Sequence, residues 1–233
     1  MKVPEQLKDF RNFLYIVWKE LNLPDPTPIQ YEIASFMQSG DKRAIIQGFR
    51  GVGKSWICSA FVVHQLLLDP RKNILVVSAS KTRADDFSTF TLRIIHELDI
   101  LEHLRPKPNQ RFSKISFDVG LAPASHAPSV KSLGVTSQLT GSRADIIVAD
   151  DVEVPNNSAT QTMRDKLQEQ VKEFDAILKP DDDSRVLVLG TPQCEDTIYY
   201  RLAERGYKSR VWTAQHITPT KNETAYNGNV SPL

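Results

Sequence analysis

At 233 residues the chain suits one domain with a sizeable core, or a domain with a small appendage. Hydrophobic residues make up 40% and charged residues 24%, an ordinary globular balance without repeat or low-complexity tract. The 29 basic and 28 acidic residues leave a net charge of +1, which excludes a global pull toward nucleic acid. Any DNA contact must be local, or be made by another part of a larger assembly.

No apolar run approaches a membrane span, and Met1-Lys2-Val3-Pro4-Glu5 lacks the core of a signal peptide, so no membrane partner is expected. Cys58 and Cys194 form neither a metal spacing nor a disulfide framework, a pattern of reducing cytoplasm, and read as small packing residues. The five histidines are scattered without ligand spacing, and none is assigned to a metal.

In chain order, residues 5–21 carry Leu7, Phe10, Phe13, Leu14, Val17, Trp18 and Leu21 at helical spacing, predicting an amphipathic helix. Prolines 24, 26 and 28 end it and stiffen the link. A short helix is predicted over 29–37, closed by Ser39-Gly40, then a strand over 43–47. A glycine-rich loop follows, then a helix over 56–68. Residues 73–79 form a near-continuous apolar run, as expected of a strand buried on both faces. Residues 81–98 follow as a helix with Phe87, Phe90, Ile94, Ile95 and Leu98 on its inner side.

Between 105 and 140 the pattern weakens to short alternating pieces at 115–117 and 130–135, predicting a β-hairpin excursion. A strand over 144–149 ends in Asp150-Asp151, and a loop with Pro155, Asn156 and Asn157 leads to a polar helix over 160–179. A strand over 185–189 ends in Gly190-Thr191-Pro192, followed by a helix over 198–205 and a strand over 208–213. Residues 217–233 read as a linker or frayed tail. Buried strands alternating with helices predict an α/β fold with a doubly wound, mainly parallel sheet. The expected organisation is a helical segment over 1–40 packed on the core, a core over 41–215, and a tail over 216–233.

The loop Gly48-Phe49-Arg50-Gly51-Val52-Gly53-Lys54-Ser55 fits G-x-x-x-x-G-K-S between a strand and a helix, the context a phosphate-binding P-loop requires. Its glycines permit a tight turn with inward N–H groups, and the following helix presents free N–H groups and a partial positive charge. In such a loop Lys54 reaches the β/γ-phosphates of a nucleotide and the Ser55 hydroxyl ligates Mg²⁺.

An NTPase also needs an acid for the metal, at the carboxyl end of a strand. Asp150 sits at such an end after four apolar residues. Asp151 and Glu153 are the candidates to orient or deprotonate the attacking water. Asp151 is favoured as the acid directly beyond Asp150, while Glu153 has greater reach but equally suits a solvated loop charge. Thr191 ends the next strand, where a hydroxyl can sense the γ-phosphate. Gln30, in Thr27-Pro28-Ile29-Gln30, offers one donor and one acceptor to match an adenine edge. Arg50 suits γ-phosphate stabilisation in cis. Arg143 precedes the Asp150 strand at its opposite end and suits a role in trans; for each, a surface salt bridge is the alternative.

Taken together, Gln30, the arginine-containing loop, Ile146-Ile147-Val148-Ala149-Asp150-Asp151-Val152-Glu153 and Gly190-Thr191-Pro192 resemble the ATPase half of a large terminase subunit. These are the DNA-packaging motors of tailed double-stranded DNA bacteriophages, and the likeness is to the short-tailed podovirus kind. It covers the chain to about residue 215. It implies a RecA-like P-loop NTPase fold of the additional-strand, catalytic-glutamate type, using ATP and Mg²⁺. It implies Gln30 as adenine contact, residues 48–55 as phosphate loop, Arg50 as the loop arginine, Asp150 as metal acid and Thr191 in the coupling motif. It further implies a ring of copies, generally a pentamer, in the host cytoplasm and transiently at the procapsid portal, absent from the mature virion. The implied partners are double-stranded DNA, the portal protein and the small terminase subunit.

Two departures stand out. Asp151 occupies a place where most relatives have Glu, which leaves the base open between Asp151 and Glu153. Relatives also carry a C-terminal nuclease domain, whereas this chain stops at Leu233, so no nuclease activity is expected from it. The alternative functions are a helicase-type motor and a nucleotide-gated assembly module with little turnover. Against the helicase, Asp150-Asp151-Val152-Glu153 is not a D-E-x-H/D box, and a second motor lobe is not expected.

Overall fold

A computed structural model describes residues 3–214. A 3-10 turn (Glu5–Lys8) precedes α1 (Phe10–Glu20) and α2 (Pro28–Gln38). Then come β1 (Arg43–Gly48), α3 (Lys54–Leu68), β2 (Ile74–Ser78) and α4 (Lys81–Glu97). After a second 3-10 stretch (Asp99–Leu104) lie β3 (Phe112–Ser113), β4 (Ser116–Phe117), β5 (Val130–Gly134) and β6 (Ile146–Asp150). The short α5 (Pro155–Ser158), α6 (Gln161–Ile177), β7 (Arg185–Gly190), α7 (Ile198–Glu204) and β8 (Lys208–Trp212) complete the described chain.

The eight strands form one sheet in the order β3-β4-β5-β2-β6-β7-β1-β8. The six from β5 to β8 are parallel, and the β3–β4 pair is antiparallel at one edge. Every residue of β2, β6 and β7 is buried, because helices cover both faces. Alternation sorts the side chains into two layers. Ala44, Ile46, Val76, Val148 and Leu187 join one hydrophobic cluster with residues of α1, α2, α3 and α4. Ile45, Val77, Ile147, Ala149 and Val188 join the other with residues of α6 and α7. Phe10, Phe13 and Trp18 of α1 and Ile33 and Met37 of α2 lie in the first cluster, so residues 3–40 share the core of the sheet.

Two predicted elements differ. The helix expected over 5–21 breaks at Asp9, whose side chain accepts from the Arg11 N–H at 2.9 Å and caps α1; Leu7 belongs to the turn before it. The excursion expected over 105–140 is half right. A small antiparallel hairpin exists, but residues 130–134 are a strand of the main sheet, parallel to β2 in the register Ile74↔Val130. Its alternation of buried Val130, Ser132 and Gly134 with half-buried Lys131 and Leu133 hid it among Pro, Ser and His. The tail expected over 216–233 lies outside the described residues.

Strand register positions the site. Gln47 stands opposite Gly190, and Asp150 opposite Leu189. The loops leaving β1, β6 and β7 therefore emerge level and side by side, at the carboxyl ends where parallel sheets bind ligands.

Candidate nucleotide-binding site

The loop after β1 turns on two glycines. Gly51 has φ +89° and Gly53 has φ +85°, conformations that a side chain disfavours. Gly53 is the N-cap residue of α3, so the free N–H groups of the first turn face the loop. Val52 is buried in the core and Phe49 packs partly against it, anchoring the turn from below.

Lys54 is only 7% exposed, and its ammonium is drawn back into the loop. Nζ donates to the carbonyls of Gly48 (2.7 Å) and Phe49 (3.2 Å) and to Oγ1 of Thr191 (3.2 Å). Burial holds its pKa below the ordinary value, while the charges of Asp151 and Asp150 pull it back up. Thr191 Oγ1 donates in turn to the Gly48 carbonyl at 2.8 Å, tying the end of β7 to the start of the loop. Gly190 is required by close approach: a Cβ there would overlap the Tyr199 side chain of α7.

Ser55 Oγ donates to Oδ1 of Asp150 at 3.0 Å, joining the helix start to the end of β6. Asp150 is 8% exposed, and its pKa is raised to about 6 by burial first and then by the charge of Asp151. The Ser55 hydrogen bond and the charges of Lys54 and Arg83 oppose that rise. A hydroxyl and a buried carboxyl facing one another are oxygen donors of the kind Mg²⁺ takes, with waters and substrate phosphates completing its shell. A cation there would offset the strain on Asp150. Among the described residues no cluster of three or more His, Cys, Asp or Glu could hold a metal.

Over this floor lies a cavity of about 540 Å³, whose wall includes Arg50, Lys54, Ser55, Asp151, Glu153 and Thr191. Asp151 has φ +46°, a left-handed conformation uncommon outside glycine and a form of strain concentrated at functional sites. Its side chain is 36% exposed and lies on the cavity wall.

The expected solvated position of Glu153 is wrong. It is 2% exposed. Its carboxyl accepts from Thr197 Oγ1 (2.7 Å) and the backbone N–H groups of Gln193 (3.0 Å) and Ile198 (2.8 Å). It therefore pins the loop between β7 and α7, because three buried donors need an acceptor there.

The other expected residues are placed as follows. Arg50 reaches over the loop to Gln193 Oε1 at 3.1 Å. Gln30 lies against the loop, but both ends of its amide are engaged: Oε1 accepts from Thr27 N–H at 2.8 Å and Nε2 donates to the Val52 carbonyl at 3.0 Å. This capping box was legible in Thr27-x-x-Gln30 and explains the residue without a base. Arg143 is at the opposite end of β6, donating to the Ala176 carbonyl of α6, and does not reach the cavity of its own chain. Cys58 is buried in α3 and Cys194 half-buried. Arg83, near the start of α4, also lines the cavity and carried no sequence signal.

A doubly wound parallel sheet with this loop after β1 and an acid at the end of β6 defines the RecA-like P-loop class of α/β proteins. A family model described as "Terminase large subunit, T4likevirus-type, N-terminal" matches residues 45–196. The chain belongs to the terminase large subunit family. It is 53% identical over 234 residues to a large terminase subunit of Enterobacteria phage T3, covering 99% of this chain but 40% of that protein. The chain thus spans under half the length of that curated relative.

Among solved structures, the large terminase of bacteriophage HK97 superposes with a TM-score of 0.60 at 14% identity, over 92% of this chain and 45% of that one. The DEAD-box helicase Mss116, bound to ssRNA and UDP-BeF, gives 0.60 at 14% identity over 91% and 43%. Dbp5 of S. cerevisiae, bound to Gle1 and IP6, gives 0.57 at 13% over 88% and 50%. At these identities the likeness establishes the fold.

Proposed function

We propose that this chain is the ATP-hydrolysing motor of a phage DNA-packaging enzyme, coupling Mg-ATP turnover to movement of duplex DNA into a procapsid. The observation that carries this reading is the 3.0 Å contact between Ser55 Oγ and Asp150 Oδ1 beside the buried Lys54 ammonium. Membership of the terminase family supplies the duplex DNA substrate. The proposed partners are the portal protein, the small terminase subunit and further copies of the chain in a ring, in the host cytoplasm and transiently at the portal vertex. The proposed organisation is a helical segment over 1–40, an ATPase core over 41–215 and a linker over 216–233.

Ser55 and Asp150 would hold Mg²⁺, which when bound neutralises charge on the β- and γ-phosphates. The loop N–H groups and Lys54 bind the phosphate chain, the ammonium leaving its carbonyl partners for the nucleotide. Water attacks the γ-phosphorus as a new P–O bond forms and the β,γ-bridging P–O bond breaks. That electron pair departs with ADP, and the proton of the water passes to Asp151. Asp151 is the base in this scheme because its side chain is 36% exposed on the cavity wall, whereas Glu153, which borders the same cavity, is buried and committed to three donors. Arg50 spreads charge from the γ-phosphate in cis. Thr191, bonded to both Lys54 and Gly48, registers the loss of that phosphate and relays it through β7. Arg143 is left to a neighbouring subunit, and Gln30 to the base only by exchanging its cap bond.

Phosphate release from Mg-ATP, measured with duplex and with single-stranded DNA, tests the reading. Turnover above a Lys54→Ala control and stimulated by duplex is expected. Turnover no faster than that control refutes the motor and leaves an assembly module. Stimulation by single strands, with strand separation, would favour a helicase.

A further inference from the structure

The adjacency of β2 and β6 places a second arginine, besides Arg50, at the cavity beside Asp150 and Asp151. Ser78 stands opposite Asp150 in the sheet, so the β2–α4 turn closes directly over the end of β6. That turn is tightly held. The Ser80 side chain accepts from the Arg83 N–H and caps α4. A Cβ on Gly134 of β5 would come within 2.9 Å of the Lys81 backbone nitrogen, so β5 and the turn fit against one another only with glycine there. Arg83 is thus projected from a fixed base onto the wall of the nucleotide cavity, with Nη1 3.7 Å from Asp151 Oδ2. It also borders a second cavity, of about 350 Å³, whose wall includes Trp56, Phe90, Asp150 and Asp151. Trp56 and Phe90 pack ring to ring there, with centroids 4.7 Å apart.

From this geometry we infer that Arg83 is a positioning residue for hydrolysis, holding the Asp151 carboxyl toward the attacking water. The inference rests on the proposed ATPase reading and deepens it. Asp151 has a left-handed backbone and a side chain 36% exposed on the cavity wall, and Arg83 is the cation paired with it there. An exposed ion pair contributes little to stability, so removing Arg83 affects the fold only slightly. Its effect falls on the step that uses Asp151, because proton transfer depends on orientation at hydrogen-bond reach.

The test is a double-mutant cycle in Mg-ATP hydrolysis with Arg83→Ala, Arg83→Lys, Asp151→Asn and Arg83→Ala combined with Asp151→Asn. Nucleotide affinity and melting temperature are measured alongside. The expected result is a kcat loss of about tenfold or more in Arg83→Ala with KM nearly unchanged, largely restored by Arg83→Lys. In the double variant Arg83→Ala adds nothing to the loss from Asp151→Asn, since both remove one function. Wild-type kcat in Arg83→Ala overturns the inference, as does a loss confined to KM, a failure of Lys to restore turnover, or losses that multiply. If wild type itself turns over no faster than Lys54→Ala, the ATPase reading falls and takes Arg83 with it. Wild-type turnover with an indifferent Arg83→Ala sinks the inference alone.

Discussion

Asp151 and Glu153 are two residues apart on one loop and border one cavity, yet their carboxyls are engaged very differently. The wall that carries Asp151 faces a cavity of about 540 Å³, and its side chain has one loose cationic neighbour. Glu153 borders the same cavity but is only 2% exposed, and three donors from residues 193–198 converge on its carboxyl. The difference separates chemistry from architecture. A carboxyl with uncommitted oxygens on a cavity can take a proton from water, whereas one already holding three buried donors is tied into the scaffold.

The largest expected effect is at the exposed carboxyl. Asp151→Asn is predicted to lower kcat by roughly 10²- to 10⁴-fold while leaving nucleotide affinity within a few-fold, as read by phosphate release and direct titration. Normal turnover in that variant, with abolition in Glu153→Gln at unchanged melting temperature, would reverse the comparison.

Burial away from the cavity should act on stability, and His64 extends the contrast to the other layer. It is fully buried, with Nε2 2.8 Å from the Leu7 carbonyl and its ring against Phe10 and Phe13. Burial pushes its pKa from 6.5 down to about 4. The folded state thus binds fewer protons than the unfolded chain between these values. The contribution of the neutral ring is complete above pH 6.5 and is lost as pH falls toward 4, by about 3 kcal/mol. Urea unfolding at pH 7 and 4.5 checks this, and His64→Gln should flatten that part of the pH dependence.

Glu153→Gln comes next. It presents an amide N–H group to donors that need an acceptor, and should cost about 1–3 kcal/mol of stability. That corresponds to about 2–4 °C of melting temperature per kcal/mol, with kcat far less affected than in Asp151→Asn. The smallest effect belongs to the cavity rim. Gln193→Ala removes the 3.1 Å contact to Arg50 and should change stability by less than about 0.5 kcal/mol, while altering the nucleotide dependence of turnover.

The same contrast explains what was legible in the sequence. β2, β6 and β7 were readable because burial on both faces demands unbroken apolar runs, and the loop because its turns demand glycine at fixed positions. Asp150 followed from the end of such a run. β5 was readable as a short alternating piece but not as a strand of the main sheet, since Val130-Lys131-Ser132-Leu133-Gly134 is placed by pairing with β2 rather than by its own apolarity. The burial of Glu153 was hidden because Gln193 and Thr197 lie about forty residues away, brought close only by the pairing of β6 with β7. Arg83 was hidden in the same way by the pairing of β2 with β6.

The most direct measurement is the magnesium dependence of nucleotide affinity in wild type, Ser55→Ala and Asp150→Asn, by titration of a fluorescent ATP analogue with and without Mg²⁺. The predicted result is tighter binding with Mg²⁺ in wild type and loss of that gain in both variants, because loop and strand end form one ion site. An undiminished magnesium effect in either variant would contradict it.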